Sequence, residues 1–390
     1  MGVGGALLFN YGVATPHLFT FWGDADWLRR ADVVETITDP WRLSVFFHFT
    51  APWQWIVFHA LFLLACAAFT VGWRTSWVKW IVLIGHISYA YRNPVLTYGA
   101  DAILHNLLII LCFAPIGRAM SLDRVRAVRA AKRSNLGSTL PPYSSPWAFA
   151  CTRLMQIQMA VLFFSSGGEK LRGIDWWTGD AIWNALVSNE YYTPMVGLFA
   201  AQYWLIVLAT YGTVLVELAF PFLIWQRRTR PYFLAAAVLL HAMIAIFMGL
   251  HYFSFVMIMG HLSFLRHEWL TRLGTAWKRK MDGMEMIYDG TCGFCVRSMA
   301  WLLAFDGLGQ IKIRDFRTDP SPVVSEAQLE TALYLVLSDG RALPGFDAYR
   351  YVVLRVPGLW WQIPFFYVPV FSRLIGRPAY KWVAANRHRL

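Results

Sequence analysis

The sequence predicts two folds in one chain: an α-helical polytopic membrane bundle of seven or eight spans over residues 1–275, then a small α/β domain over 284–390. Three observations carry that division. Hydrophobic residues fill 57% of the 390 positions and charged residues only 15%, against about a quarter charged in an average soluble domain. Apolar windows approaching the roughly 20 residues needed to cross hydrocarbon recur as far as Leu265. From Met284 the runs shorten to strand length and lead into a Cys-X-X-Cys.

The helical part can be taken in order. Residues 1–15 form a partial first span, with no basic stretch ahead of it and so no ordinary signal peptide. Full spans are expected at Pro52–Trp73, Trp77–Tyr91, Tyr98–Gly117, Trp147–Ser165, Ala201–Trp225, Tyr232–Gly249 and His251–Leu265. When these alternate, Arg74 and Lys79, the basic residues from Arg118 to Arg133, and Arg227, Arg228 and Arg230 fall on one face. Short cytoplasmic loops collect Lys and Arg. That face is therefore expected to be cytoplasmic, in a bacterial-type inner or plasma membrane, and the C-terminal domain follows on the same side. The net charge of +12 sits beside apolar segments, so it reads as topology. Lipid is the expected partner and nucleic acid is not.

In the C-terminal part, Met284–Tyr288 has the pattern of a strand, Val296–Phe305 of an apolar helix, and Ile311–Phe316 of an alternating strand. Thr331–Leu337 reads as a central strand, and Ser338-Asp-Gly340 as a turn into a short return strand. The dithiol falls where the first strand gives way to the helix. Disulfide exchange needs a thiolate, which a helix N-terminus stabilises, and a second thiol close enough to resolve the mixed disulfide. Cys292 at the helix start is the expected nucleophile and Cys295, one turn in, the resolving thiol; Asp289, the nearest charge, is a candidate catalytic residue beside them. A zinc site would need further ligands, for which only His388 is at hand, so no metal is expected. Cys66, Cys112 and Cys151 sit in apolar runs, as buried cysteines do.

Tyr288-Asp-Gly-Thr-Cys-Gly-Phe-Cys295, with Ser338-Asp-Gly340, Gly345-Phe-Asp-Ala348 and the ending Arg377-Pro-Ala-Tyr380…Asn386-Arg387, resembles the DCC family of thiol-disulfide oxidoreductases. Its Asp-X-X-Cys-X-X-Cys signature is met by Asp289, Cys292 and Cys295. The resemblance implies a thioredoxin-like fold and a protein or small thiol/disulfide as substrate. No proline precedes the strand at Ala332, where thioredoxins carry one beside the dithiol.

Ionisable residues within spans are costly and so mark functional positions by default. They are His59, His86, Asp101, His105, Glu217, His241, His251 and His261, with Lys170 just past a span and Trp176 in the aromatic loop beyond it. For each histidine the plainer reading is a hydrogen bond between helices; for Glu217, a structural ion pair; for Lys170, a side chain snorkelling to the interface. Gly168-Glu-Lys170 followed by Asp175-Trp-Trp-Thr-Gly179, Gly99-Ala-Asp101, Ser121-Leu-Asp123, and Glu217 followed by Pro221 resemble the HTTM family. That membrane domain is shared with vitamin K-dependent gamma-glutamyl carboxylase. The resemblance makes Lys170 a candidate base and suggests a quinone as cofactor or substrate; Glu217, Asp101 and Trp176 within the matching elements, and His241 as an ionisable residue within a span, are candidate binding residues.

Three functions stay open on these observations. The first is a membrane-anchored thiol-disulfide oxidoreductase using Cys292 and Cys295 on the cytoplasmic side. The second is a carboxylase-like or quinone-oxidising enzyme with Lys170 as base. Its weakness is that Lys170 is expected on the outer face, a hydrocarbon thickness from the dithiol. The third is a non-enzymatic scaffold for peptide maturation or export.

Overall fold

The computed structural model describes residues 1–24, 28–36, 43–134, 136, 145–188, 197, 201–280, 283–387 and 389. His388, the remaining candidate metal ligand, lies outside them. The chain forms two compact units, residues 1–118 with 143–265, and residues 119–142 with 266–390.

The first unit is helical. Its main helices are α1 (Gly2–Val13), α2 (Pro52–Val71), α3 (Thr75–Arg92), α4 (Gly99–Phe113), and, after the basic segment, α6 (Pro146–Lys170), α7 (Tyr203–Leu223), α8 (Arg230–Met248) and α9 (His251–His261). Local chemistry sets their ends. Pro52 opens α2, the Gln54 side chain accepts from the amides of Thr50 and Ala51 at 2.6 and 2.8 Å, and Gly72 closes the helix at φ 70°. Pro146 opens α6 behind a Ser145 cap, whose hydroxyl accepts from Ala148 N–H.

A helix stands at each expected span, but their number as membrane crossings is corrected. Among the described residues, α2, α6, α7 and α8 are the helices long and apolar enough to cross a membrane, four against the seven or eight expected. The reason is length and charge. α4 has 15 residues, which at 1.5 Å per residue reaches about 22 Å, short of a hydrocarbon core of about 30 Å. α1 and α9 are shorter still, with 12 and 11 residues. α3 has 18 residues but carries Lys79, His86 and Arg92. Many large apolar side chains of the long helices, among them Leu61, Leu64, Leu208 and Leu215, face outward, as lipid-facing residues do.

The second unit is α/β. Helix α5 (Leu122–Ser134) and α10 (His267–Lys280) join β1 (Met284–Tyr288), α11 (Gly293–Phe305), β2 (Ile311–Asp315), α12 (Glu326–Thr331), β3 (Tyr334–Val336), β4 (Ala342–Pro344), α13 (Gly345–Arg355) and α14 (Arg377–Asn386). The sheet order is β2-β1-β3-β4. β1 runs parallel to β2, with Tyr288 opposite Asp315, and antiparallel to β3, with Met286 opposite Leu335. β3 pairs antiparallel with β4. Cores lie on both faces of the sheet: Met286, Met299, Leu335 and Val352 on one, Ile287, Phe316, Val324 and Leu329 on the other. Two element starts in this unit differ from expectation by more than one residue. Helix α11 starts at Gly293 because Cys292 caps it. The third strand starts at Tyr334, since the Ser325–Gln328 capping box nucleates a helix through Thr331.

Candidate redox site and a buried ion pair

β1 lies inside the sheet and delivers its C-terminal end to the start of α11. The turn between them depends on Gly290, whose amide donates to Asp315 Oδ1 at 2.9 Å. A Cβ at Gly290 would meet the Asp315 carboxylate at 1.9 Å, so a larger residue would have to displace that carboxylate from the turn. Cys292 is the N-cap of α11: its sulfur accepts from the Cys295 amide at 3.3 Å, and the two sulfurs lie 2.6 Å apart as free thiols. The Cys292 thiol also donates to the Arg387 carbonyl at 3.6 Å, and Cys292 is 1% exposed. Burial, with the hydrogen bond to Cys292, pushes the Cys295 thiol well up. It is therefore held in its protonated form at neutral pH.

Asp289 is close to the dithiol in sequence, but its carboxylate is engaged elsewhere. It accepts from the Thr291 amide at 3.0 Å and hydroxyl at 2.6 Å, and pairs with Arg317 at 3.3 Å. Burial alone would raise its pKa; the bonds from Thr291 and Arg317 outweigh that and bring it down to about 2. Asp289 thus reads as the group that fixes the strand-to-helix turn. Arg317 extends the network to Glu326 and Glu330. Sequence reasoning passed over Asp315 and Arg317. The signal was present in the β2 pattern, because a parallel neighbour of β1 must end beside the dithiol turn.

In the helical unit, three expected residues come together. α6 continues five residues past the expected span end at Ser165, so Lys170 is its last residue rather than part of a loop. Lys170 Nζ lies 2.7 Å from Glu217 Oε2 and 3.0 Å from Oε1, and it donates to Ser166 Oγ at 2.7 Å. The Trp176 ring stands 5.1 Å from the same ammonium. The pair is largely buried, at 19% and 10% exposure. Gly167 lets α6 and α7 approach, since a Cβ there would press on Leu218 and Glu217. His241 stacks edge-on against Phe163, two turns back from Lys170 on α6, and beside His261; both its ring nitrogens are buried without a hydrogen bond. Asp101 stands apart, capping α4 by accepting from the Tyr98 amide at 3.1 Å. His59 and His86 follow their plainer reading, bonding to Tyr89 and Tyr11.

A dithiol capping a helix behind a central strand, in a chain that also carries apolar helices of membrane length, defines a membrane-associated redox protein. Family models agree: an HTTM domain covers residues 24–269, and a DCC1-like thiol-disulfide oxidoreductase domain covers 286–390. The chain belongs to the HTTM family, with the oxidoreductase domain fused behind it. Neither a curated protein nor a solved structure matches it.

Proposed function

We propose that this protein is a membrane-anchored thiol-disulfide oxidoreductase in which Cys292 attacks and Cys295 resolves. The thiolate of Cys292 attacks one sulfur of a substrate disulfide, forming a mixed disulfide and expelling the other sulfur as a thiolate. Cys295 loses its proton to solvent and attacks Cys292. The second substrate thiolate leaves and an intramolecular disulfide remains. The substrate gains two electrons and the dithiol loses two; a small thiol or a protein dithiol restores it, and the reverse sequence oxidises a substrate. The position of Cys292 at the cap of α11, with Cys295 in contact, carries this reading. The distribution of basic residues supports a cytoplasmic location for the domain.

The test is disulfide reduction by the full chain in detergent micelles. Cys292→Ser is expected to abolish turnover, while Cys295→Ser should trap the mixed disulfide with substrate. Full activity in Cys292→Ser would end this reading. Normal cellular function of the double mutant would favour the scaffold role.

One observation favours a second reading. The Lys170–Glu217 pair beside Trp176 and Ser166 could serve as the acid–base group of a carboxylase-like or quinone-oxidising reaction. Lys170 would pass a proton to Glu217 and then accept one from the substrate. Unchanged quinone turnover in Lys170→Ala would remove it.

A further inference from the structure

The helical unit contains a cavity of about 180 Å³ that the proposed chemistry does not use. Its lining includes Tyr11, Trp22, Tyr89, Asn93, Tyr98 and Asp101. The size suits a group smaller than a drug-like ligand. The lining chemistry narrows the class further.

Tyr11 and Tyr89 offer rings rather than hydroxyls. The Tyr11 hydroxyl is engaged with His86 Nδ1 at 3.0 Å, and that of Tyr89 with His59 Nδ1 at 2.7 Å. Their ring centroids lie 4.4 Å apart, with Trp22 4.9 Å from Tyr89. Asn93 supplies a vacant acceptor. Its Nδ2 donates to the Phe21 carbonyl at 2.6 Å, which fixes the amide orientation. Oδ1 is left buried without a hydrogen bond, in a residue only 1% exposed. Asp101 supplies negative charge at 7% exposure, and no Lys or Arg among the described residues pairs with it. No Lys or Arg among the described residues lines the cavity. The adjacent Arg92 directs its guanidinium to the carbonyls of Gly23 and Leu28.

A carboxylate, an orphaned acceptor and several aromatic rings favour the same kind of guest. Ring faces attract cations within about 6 Å. A buried acceptor without a donor is costly. An anion would meet Asp101 with no compensating charge, and an apolar guest would leave Asp101 and Asn93 desolvated. We propose that this cavity binds a small organic ammonium group. Asp101 and Asn93 take its positive, hydrogen-bonding side, and Tyr11, Trp22, Tyr89 and Tyr98 take its carbon groups. A free amine and a lipid ammonium headgroup share that chemistry.

The experiment is calorimetric titration of choline, ethanolamine and tetramethylammonium into the full chain in maltoside micelles, with dispersed phosphatidylcholine as a separate arm. Saturable binding is expected, weakened at least about tenfold by Asp101→Asn. Asparagine keeps the oxygen that caps α4, so this change removes charge while preserving the cap. Tyr98→Leu is the second variant, because the ring is half-exposed and the backbone cap is untouched; a several-fold loss is expected. Binding of the free amines identifies a soluble ligand, and binding of phosphatidylcholine alone identifies a headgroup; either supports the proposal. Absence of saturable binding in every arm, or an affinity unchanged in both variants, would mean the cavity holds only water and would overturn it.

Discussion

The two units of this protein place charged groups out of water by opposite strategies. In the α/β unit the network around the dithiol is short-range and heavily bonded: Asp289, Thr291, Asp315 and Arg317 span 29 residues and satisfy one another through side chains and backbone amides. In the helical unit Lys170 and Glu217 come from helices 47 positions apart, and each charge has the other as its main support. A network with many bonds tolerates the loss of one. A buried pair does not, because the survivor is left as an uncompensated charge.

That contrast can be broken most sharply at Glu217. Glu217→Ala should destabilise the helical unit by about 3–5 kcal/mol, since it strands the Lys170 ammonium among apolar helices. Replacing both partners, Lys170→Met with Glu217→Leu, should recover most of the loss, because no charge then remains buried. Thermal unfolding in micelles measures both variants. If Glu217→Ala melts with the wild type, the pair is better solvated than its burial implies and the contrast fails.

Asp289→Asn is expected to cost less, about 1–3 kcal/mol, because the Thr291 bonds can survive while the Arg317 ion pair is lost. The pH dependence supplies the sign. The Asp289 carboxyl is lowered in the folded state to about 2, from about 4 in an unfolded chain. Its contribution is therefore complete above about pH 4 and disappears as pH falls toward 2. Hydrogen exchange of the segment 286–305 should accelerate in that window for the wild type. The Asn variant should begin faster and lose that part of the acid dependence. Parallel acid curves for the two proteins would detach Asp289 from the turn.

The same contrast explains what could be read from the sequence. The dithiol was legible because its chemistry is local: two cysteines three positions apart, after a strand and at a helix start, need no distant partner to be recognised. Helix positions in the membrane part were legible from apolar runs, but the count of crossings was not, because run length exceeded helix length at Tyr98–Gly117 and His251–Leu265. At the first, Ala114-Pro115 ends the helix. Lys170 and Glu217 were each conspicuous alone, yet nothing in either segment announces that they touch. Arg387 stood in the C-terminal motif without a visible role, since its contacts reach back some 57 and 95 positions, to Glu330 and Cys292. The basic segment from Leu122 reads as a membrane loop by charge. What charge alone does not show is that its Arg129 lies 4.1 Å over the Trp301 ring of α11, inside the α/β unit.

The smallest expected effect concerns how the dithiol is reached. Cys292 is less exposed than Cys295, 1% against 9%, an unusual order for an attacking thiol. The cause is Arg387. Its carbonyl accepts the Cys292 S–H, while its guanidinium donates to the Leu329 and Glu330 carbonyls near the end of α12. The side chain therefore anchors the backbone that covers the sulfur, and substrate access requires that anchor to open. Arg387→Ala should raise the alkylation rate of Cys292 about tenfold, the equivalent of about one charge-assisted hydrogen bond. Arg387→Lys, which keeps a cationic donor, should fall between that variant and the wild type. Measuring both in a Cys295→Ser background isolates the one sulfur, and unchanged unfolding of the α/β unit separates local opening from loss of the fold. An alkylation rate that ignores residue 387 would mean the cover opens elsewhere. The redox role of the pair would still stand, because alkylation reports access and turnover reports chemistry.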